Sequence, residues 1–338
     1  MVKRVGNLFD KFVSIENLSK AAKNAQKGKK HRLDVIAFNE HFDENIKKLQ
    51  TMLMNGGYTT SEYYIFEIVE NGKVREVADL PFYPDRIVHW ALMLVLNKVM
   101  VKGLIHTTYA ALPGRGMHKT HKDLIKALKN DDAIYFLKID VEKYFPSVEK
   151  DIMYSSIKRH VKDKKILSLC KQIIYEYPLP GIPIGNYTSQ YFANFYLSPI
   201  DHFMKEKYHC KYYFRYMDDI VILGWNKAWL HRVLKKIKEL ASNIGLKIKD
   251  NWCIRPVSQG IDFVGFVSYK THSLIRKRTK IRMKKVCKTA QKHLEEDGYL
   301  TEHDIGAINS YHGYSKWCNC KHLFDVIGLN ELYSYIHS

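Results

Sequence analysis

Two adjacent carboxylates, Asp218 and Asp219, sit inside residues 212–224, a stretch reading YYFRYMDDIVILG. The flanking apolar runs, 212–217 and 220–223, are short and rich in aromatic and β-branched residues. They predict two strands with the acidic pair at the hairpin turn. Asp-Asp is a poor choice for such a turn, which prefers Asn-Gly or Asp-Gly. Like charges side by side also repel and raise each other's pKa unless something positive lies between them. Read alone, the pair is equally well an exposed turn capping an ordinary hairpin. A second stretch, residues 133–148 (AIYFLKIDVEKYFPSV), has an apolar strand at 134–139 ending on Asp140. Packed side by side, that strand and the hairpin would bring three carboxylates together. Such a set suits two hard divalent cations, which take carboxylate and phosphate oxygens in phosphoryl transfer.

FLKIDVEKYFPSV resembles the first catalytic motif of reverse transcriptases, and YMDD is similar to the Y-x-D-D hairpin of their second. The resemblance implies a nucleic-acid polymerase with two Mg²⁺ ions, Mn²⁺ being the alternative metal. Asp140 and Asp218 would be direct ligands, the Val141 carbonyl would help, and Asp219 would support them. It also implies that Phe145, five residues after Asp140, lies under the sugar of the incoming nucleotide and excludes a 2′-hydroxyl. A rigid ring cannot make room for the extra oxygen without overpacking, at about 1–3 kcal/mol. Without the family, Phe145 and Tyr144 read equally as core.

The elements that must position these residues follow from the rest of the chain. Up to about residue 57, helical spacing predicts two helices, one through Leu8, Phe12, Ile15 and Leu18 and one over 35–54, joined by a basic link at 23–32. The link reads as a solvated connection, with a phosphate-binding arm as the alternative. Residues 62–69 and 73–80 flank Asn71-Gly72, a strong hairpin signal. This hairpin resembles the fingers hairpin of reverse transcriptases, which implies that Lys73 and Arg75 hold the incoming triphosphate. Arg75 suits the role better, since a guanidinium grips phosphate bidentately; an exposed edge-strand arginine is the plain alternative. An apolar helix is predicted over 86–101. The turn Pro113-Gly114-Arg115-Gly116 leads into another helix, where backbone amides and Arg115 could meet a phosphate. It resembles the family block Y-x-x-R-P-G-R-G, with Leu112 in place of the usual arginine. His118 and His121 share a helical face and could be read as metal ligands, but no third ligand joins them on that face.

Residues 179–201, LPGIPIGNYTSQYFANFYLSPID, narrow the resemblance. Group II intron and retroviral enzymes read roughly P-Q-G-x-x-x-S-P here, whereas Ile184 and Gln190 replace the glutamine and the final proline. The I-G-x-x-x-S-Q version looks like the reverse transcriptases of diversity-generating retroelements, which implies that Ile184 and Gln190 lie near the incoming nucleotide. Beyond the hairpin, residues 227–243 predict an amphipathic helix, 245–249 a strand, and GIDFVGFVSY (260–269) resembles the primer-grip strands. Many relatives carry an N-P-x-K lysine where this chain has Asp250-Asn251-Trp252, leaving Lys247 and Lys249 as poor substitutes for a leaving-group proton donor. Helices over 279–296 and 302–317 take the place of a thumb. His312, Cys318, Cys320 and His322 lack usual zinc spacing, since C-x-C is tight and no second cysteine pair exists.

The formal net charge is +19 over 338 residues, 46% of them hydrophobic, which allows a large core and implies a polyanionic partner, whether nucleic acid or membrane surface. Residues 270–293 carry ten Lys or Arg and no Asp or Glu, so about half of the excess sits in one segment. Arg276, Lys277, Arg278 and Lys280 are expected to track a nucleic-acid backbone; a solvated helix face is the alternative. No apolar run reaches membrane-spanning length and MVKRVGNLFDKF is no signal peptide, so a membrane partner is not expected. Six scattered cysteines fit a reducing cytosol and a cytoplasmic protein. The resemblance covers nearly the whole chain and leaves no sequence for an RNase H, endonuclease or maturase domain. It implies an α+β right-hand polymerase fold. Its parts would be an N-terminal helical extension (1–57), fingers (58–132), an antiparallel-sheet palm (133–269, with part of the fingers near 150–180) and a helical thumb (270–338). The implied partners are a template RNA, the RNA–DNA duplex, deoxynucleoside triphosphates and a small basic accessory protein. The leading functional reading is error-prone copying of a template RNA for a diversity-generating retroelement. An antiphage-defence reverse transcriptase using its own non-coding RNA, and a non-catalytic RNA-binding descendant, are the others. The chain has no retron-type N-A-x-x-H block.

Overall fold

The computed structural model describes residues 4–70 and 72–338. Asn71, half of the expected Asn-Gly turn, lies outside the described residues. The chain forms two compact units whose segments alternate in sequence. One contains Met1–Leu112, Asp140–Cys210 and Lys235–Asp250, and the other Pro113–Ile139, Lys211–Leu234 and Asn251–Ser338.

The first unit is mostly helical. Its centre is the helix Ile87–Lys102, apolar on all sides, with Ile87, Val88, Ala91, Leu92 and Leu96 buried. The helices Ile15–Ala25 and Tyr187–Tyr196 pack against it. Ser14 caps the former, its hydroxyl accepting from the Asn17 amide at 3.2 Å. Where two helices are expected before residue 57, four form among the described residues: Phe9–Phe12, Ile15–Ala25, Leu33–Glu40 and Phe42–Met54. The second predicted helix breaks at His41, whose backbone leaves the helical region (φ −126°, ψ 41°). Strands β1 (Tyr64–Glu70) and β2 (Lys73–Asp79) pair antiparallel, Glu70 opposite Lys73, in a mostly exposed hairpin.

The second unit holds both larger sheets. Strands β3 (Tyr135–Ile139), β4 (Tyr212–Tyr216), β5 (Asp219–Gly224) and β6 (Cys253–Pro256) form an antiparallel sheet in the order β4-β5-β3-β6. The Ile220–Leu223 run is buried at its centre, each side chain contributing about 1.5–3 kcal/mol. Strands β7 (Ile261–Phe263), β8 (Phe266–Ser268) and β9 (Ser273–Ile275) form a second antiparallel sheet.

The helix Lys277–Glu296 follows, starting two residues earlier than predicted. Met283, Cys287 and Ala290 recur at helical spacing along it and pack on Ile308, Phe324, Leu329 and Leu332. The expected 302–317 helix ends at His312, followed by a 3₁₀ turn, Gly313–Lys316. Two helices that the sequence reading did not foresee, Lys321–Val326 and Leu329–His337, complete this cluster. No described helix is long and apolar enough to cross a membrane.

Candidate active site

The hairpin differs from expectation by one residue. Tyr216 pairs with Asp219, so the two-residue turn is Met217–Asp218 and Asp219 opens β5. Met217 takes a left-handed conformation (φ 58°) at a position that usually selects glycine. Arg215, fully buried on β4, donates from Nη1 to the Met217 carbonyl at 2.9 Å and pins the turn. Beside it, β3 runs antiparallel to β5 with Ile139 opposite Ile220. Lys138 on β3 donates from Nζ to the Asp262 carbonyl at 2.6 Å and lies 3.6 Å from Asp219 Oδ2. Asp218 and Asp219 are both half-buried. Arg115 is half-buried in the turn ahead of the helix Met117–Leu128.

Asp140 belongs to the first unit and follows Ile139 directly. Its carboxylate takes the Lys249 ammonium, and its carbonyl accepts from the Lys249 amide at 2.9 Å. Val141, next in the chain and buried, makes a single antiparallel bridge to Ile248. Residues 245–249 therefore supply one bridge position and no strand, a correction to the expected element. In the antiparallel register set by this bridge, residue 249 lies opposite 140 and 247 opposite 142, so Lys249 meets Asp140 whereas Lys247 ion-pairs with Glu142 at 2.9 Å. That contact holds the Glu142 carboxyl below its ordinary range and pushes the Lys247 ammonium up.

Phe145, Ile184 and the β1–β2 hairpin come together through the loop 181–185. The Phe145 carbonyl accepts from the Ile182 amide at 3.0 Å, and the Ile184 carbonyl from the Ala78 amide of β2 at 2.8 Å. Two glycines allow this approach: a Cβ on Gly181 would lie 2.2 Å from the Phe145 carbonyl oxygen, and one on Gly185 2.3 Å from that of Ala78. The Phe145 ring is half-buried, edge-on to Tyr144, whose hydroxyl donates to the Ala193 carbonyl. Arg75, on the same strand as Ala78, pairs with Glu70 at 3.1 Å, and Lys73 is exposed next to the turn. Gln190 is exposed on the helix Tyr187–Tyr196.

Lys277, Arg278 and Lys280 are exposed on the first turn of the helix Lys277–Glu296. Arg276 stands apart, occupying the N-cap position and pairing with Asp262. His118 stacks on Trp317 (centroids 4.4 Å apart), and His121 is buried, with Nε2 2.8 Å from the Trp317 carbonyl. Burial pushes the His121 imidazole below its ordinary pKa. His312 stacks on Tyr333, and the Cys320 sulfur accepts from the Ile275 amide.

Asp140, Asp218, Asp219 and the Val141 carbonyl offer only oxygen, which suits hard divalent cations. Lysine ammonium groups stand at two of these carboxylates, on Asp140 and beside Asp219, where such cations would neutralise the same charge. Among the described residues, no three His, Cys, Asp or Glu side chains are gathered closely enough to hold a metal ion. Sequence reasoning missed Lys138, on β3 two residues before Asp140, and Arg215, on β4 two residues before the Met217 whose carbonyl it binds.

The family model for "Reverse transcriptase (RNA-dependent DNA polymerase)" matches residues 69–268, more than half of the chain. The Retron Ec73 reverse transcriptase of Escherichia coli is 25% identical over 254 residues, covering 70% of this chain and 77% of that protein. Nuclear intron maturase 1, mitochondrial, of Arabidopsis thaliana is 28% identical over 120 residues, which are 34% of this chain and only 15% of the maturase. Among solved structures, apo telomerase from Candida tropicalis matches with a TM-score of 0.48 at 14% identity, over 70% of this chain and 53% of that one. Telomerase from Candida albicans in complex with a fragment of telomeric RNA matches with a TM-score of 0.47 at 11% identity, over 83% and 60%.

Proposed function

The chain belongs to the reverse transcriptase family, and from that premise we propose that it copies a template RNA into error-prone, adenine-mutagenic cDNA for a diversity-generating retroelement. The observation carrying the polymerase chemistry is the pairing of Ile139 with Ile220. Asp140 follows the first and Asp219 precedes the second, so both acidic segments leave one end of the same ladder. The I-G-x-x-x-S-Q stretch with Ile184 and Gln190 supports the retroelement role.

Reverse transcriptases generally use divalent metal ions. In this reading Asp140, Asp218, Asp219 and the Val141 carbonyl would hold two Mg²⁺, or Mn²⁺ in their place. When bound, such ions lower the pKa of the primer 3′-hydroxyl and neutralise the triphosphate and departing pyrophosphate. Lys249 and Lys138 pair with the carboxylates of Asp140 and Asp219, the charges such ions would also neutralise. Lys73 and Arg75 bind the triphosphate, Phe145 excludes a 2′-hydroxyl, and Arg115 with the cations after residue 275 binds the template and the RNA–DNA duplex. A small basic accessory protein is the proposed protein partner.

Asp140→Asn and Asp218→Asn should each abolish Mg²⁺-dependent primer extension while RNA retention on filters stays near the parental level. Losing a ligand charge removes about 3–4 kcal/mol or more of transition-state stabilisation, but leaves the basic helix intact. Extension by both variants at the parental rate refutes the metal assignment.

A second reading is an antiphage-defence enzyme making cDNA from an associated non-coding RNA, and the likeness to a retron reverse transcriptase over 77% of its length fits it as well as the first. Ile184 separates the two. Its side chain makes no hydrogen bond, so selectivity there rests on shape, and one lost bond is worth about 0.5–1.5 kcal/mol, or up to roughly tenfold. The parent enzyme should err mainly at template adenines, and Ile184→Gln should lower that error without stopping synthesis. Sequencing cDNA made by both on a mixed-base RNA decides it, and uniformly accurate parental copying promotes the defence reading.

A further inference from the structure

Within the second unit, a cleft of about 410 Å³ lies between the end of the helix Met117–Leu128, the turn joining β8 to β9, and residues 316–319. Lys129, Lys270 and Lys316 line it, and no Asp or Glu does. All three lysines are exposed, and Lys270 alone has a carboxylate neighbour, the outlying Asp131 at 3.1 Å. Asp131 lies four residues before Tyr135, the β3 residue paired with Gly224, so the cleft borders the sheet end opposite the Met217–Asp218 turn.

The floor of the cleft holds a second feature. Ser273 is 2% exposed, and its hydroxyl oxygen has no hydrogen-bond partner within the protein. Its backbone groups are committed to Asn319, the amide donating to Oδ1 at 3.0 Å and the carbonyl accepting from the amide at 2.7 Å. A buried hydroxyl left unsatisfied costs about 1–3 kcal/mol; this one is sealed from solvent, so a ligand oxygen relieves it by opening the cleft wall. Flat rings mark the rim: His272 stacks on Tyr269 (4.5 Å, 11°) and Trp317 on His118 (4.4 Å, 4°). Lysines that grip phosphate, a hydroxyl donor and ring faces for bases are the means by which proteins hold single strands.

We propose that this cleft is a second docking site for a single-stranded nucleic acid, engaging its phosphodiester oxygens at a place separate from the acidic turn and from the cations of the helix Lys277–Glu296. It goes beyond the polymerase reading and is tested without synthesis, so a chain that made no DNA would still report on it.

The full chain, a Lys129→Ala/Lys270→Ala/Lys316→Ala variant and Ser273→Ala are titrated with short fluorescent RNA and DNA strands of one sequence at several salt concentrations. The triple variant should bind several-fold more weakly. Its slope of log K against log salt should be shallower by about 2, since each single-strand phosphate contact contributes roughly 0.7. Ser273→Ala should bind more weakly while its thermal midpoint stays at or above that of the parent. Equal losses on RNA and DNA assign the site to the shared backbone, and a loss on one strand assigns it to that polymer. A parental slope in the triple variant, or parental affinity in Ser273→Ala, overturns the proposal.

Discussion

Met217 bears the backbone cost of presenting Asp218. A side chain at φ 58° is disfavoured by about 1–2 kcal/mol, and the buried Arg215 guanidinium on its carbonyl offsets a comparable amount through a charge-assisted bond. The strained turn is thus held by a surrounding lock. Phe145 is held differently. Its backbone carbonyl is fastened to Ile182, while its ring is only half-buried. Phe145→Ala should therefore cost a modest 1–2 kcal/mol, roughly, less than a fully buried ring would, and should admit ribonucleotides into the product. Extension with mixed ribo- and deoxynucleotides, followed by alkaline cleavage, measures this. Unchanged discrimination would make the ring a packing residue alone.

Among the elements, the helix Glu302–His312 carries a capping box in which the Thr301 hydroxyl accepts from the Asp304 amide and the Asp304 carboxylate accepts from the Thr301 amide. Burial pushes the Asp304 carboxyl up, but hydrogen bonds from Thr301 and His293 outweigh it, and the net shift is downward from 3.8. A carboxyl depressed on folding stabilises the native state fully above its unfolded value. That contribution is lost as pH falls through the lower, folded value. The thermal midpoint should thus drop below about pH 3.8, and part of this drop should be missing in Asp304→Asn, which starts from lower stability. Parallel pH profiles for parent and variant would show that the cap does not couple to protons.

At the scale of the whole molecule, a charge of +19 is concentrated where the fold can use it. The helix Lys277–Glu296 buries Met283, Cys287 and Ala290 in its cluster, which commits one face to the core and leaves the lysines and arginines on the others. Neutralising Arg276, Lys277, Arg278 and Lys280 to glutamine should weaken RNA–DNA duplex binding at moderate salt. It should also flatten the salt slope by roughly 0.7–0.9 per lost phosphate contact. Arg276 should add a fall in thermal midpoint, because it also pairs with Asp262 at the N-cap. An unchanged slope would mark this face as solvated surface.

The types and spacing of Asp140, Asp218 and Asp219, the strands around them and the basic helix after residue 276 are all legible in the sequence. Each is local: apolar runs of strand length, a helical stripe and a cluster of like charges need no distant partner to be recognised. Three features depended on distant partners. The turn shifted to Met217–Asp218 because register follows from which face of β5 packs between β3 and β4, and a one-residue step exchanges every side chain across the sheet. Lys249 rather than Lys247 reached Asp140 because the antiparallel bridge between Val141 and Ile248 sets the register, placing residue 249 opposite 140 and 247 opposite 142. The helices Lys321–Val326 and Leu329–His337 carry weak local signals and are held by burying Phe324, Leu329 and Leu332 against the stripe of Lys277–Glu296. Chain-local chemistry settled which residues could act, and burial between segments far apart in sequence settled which atoms they face.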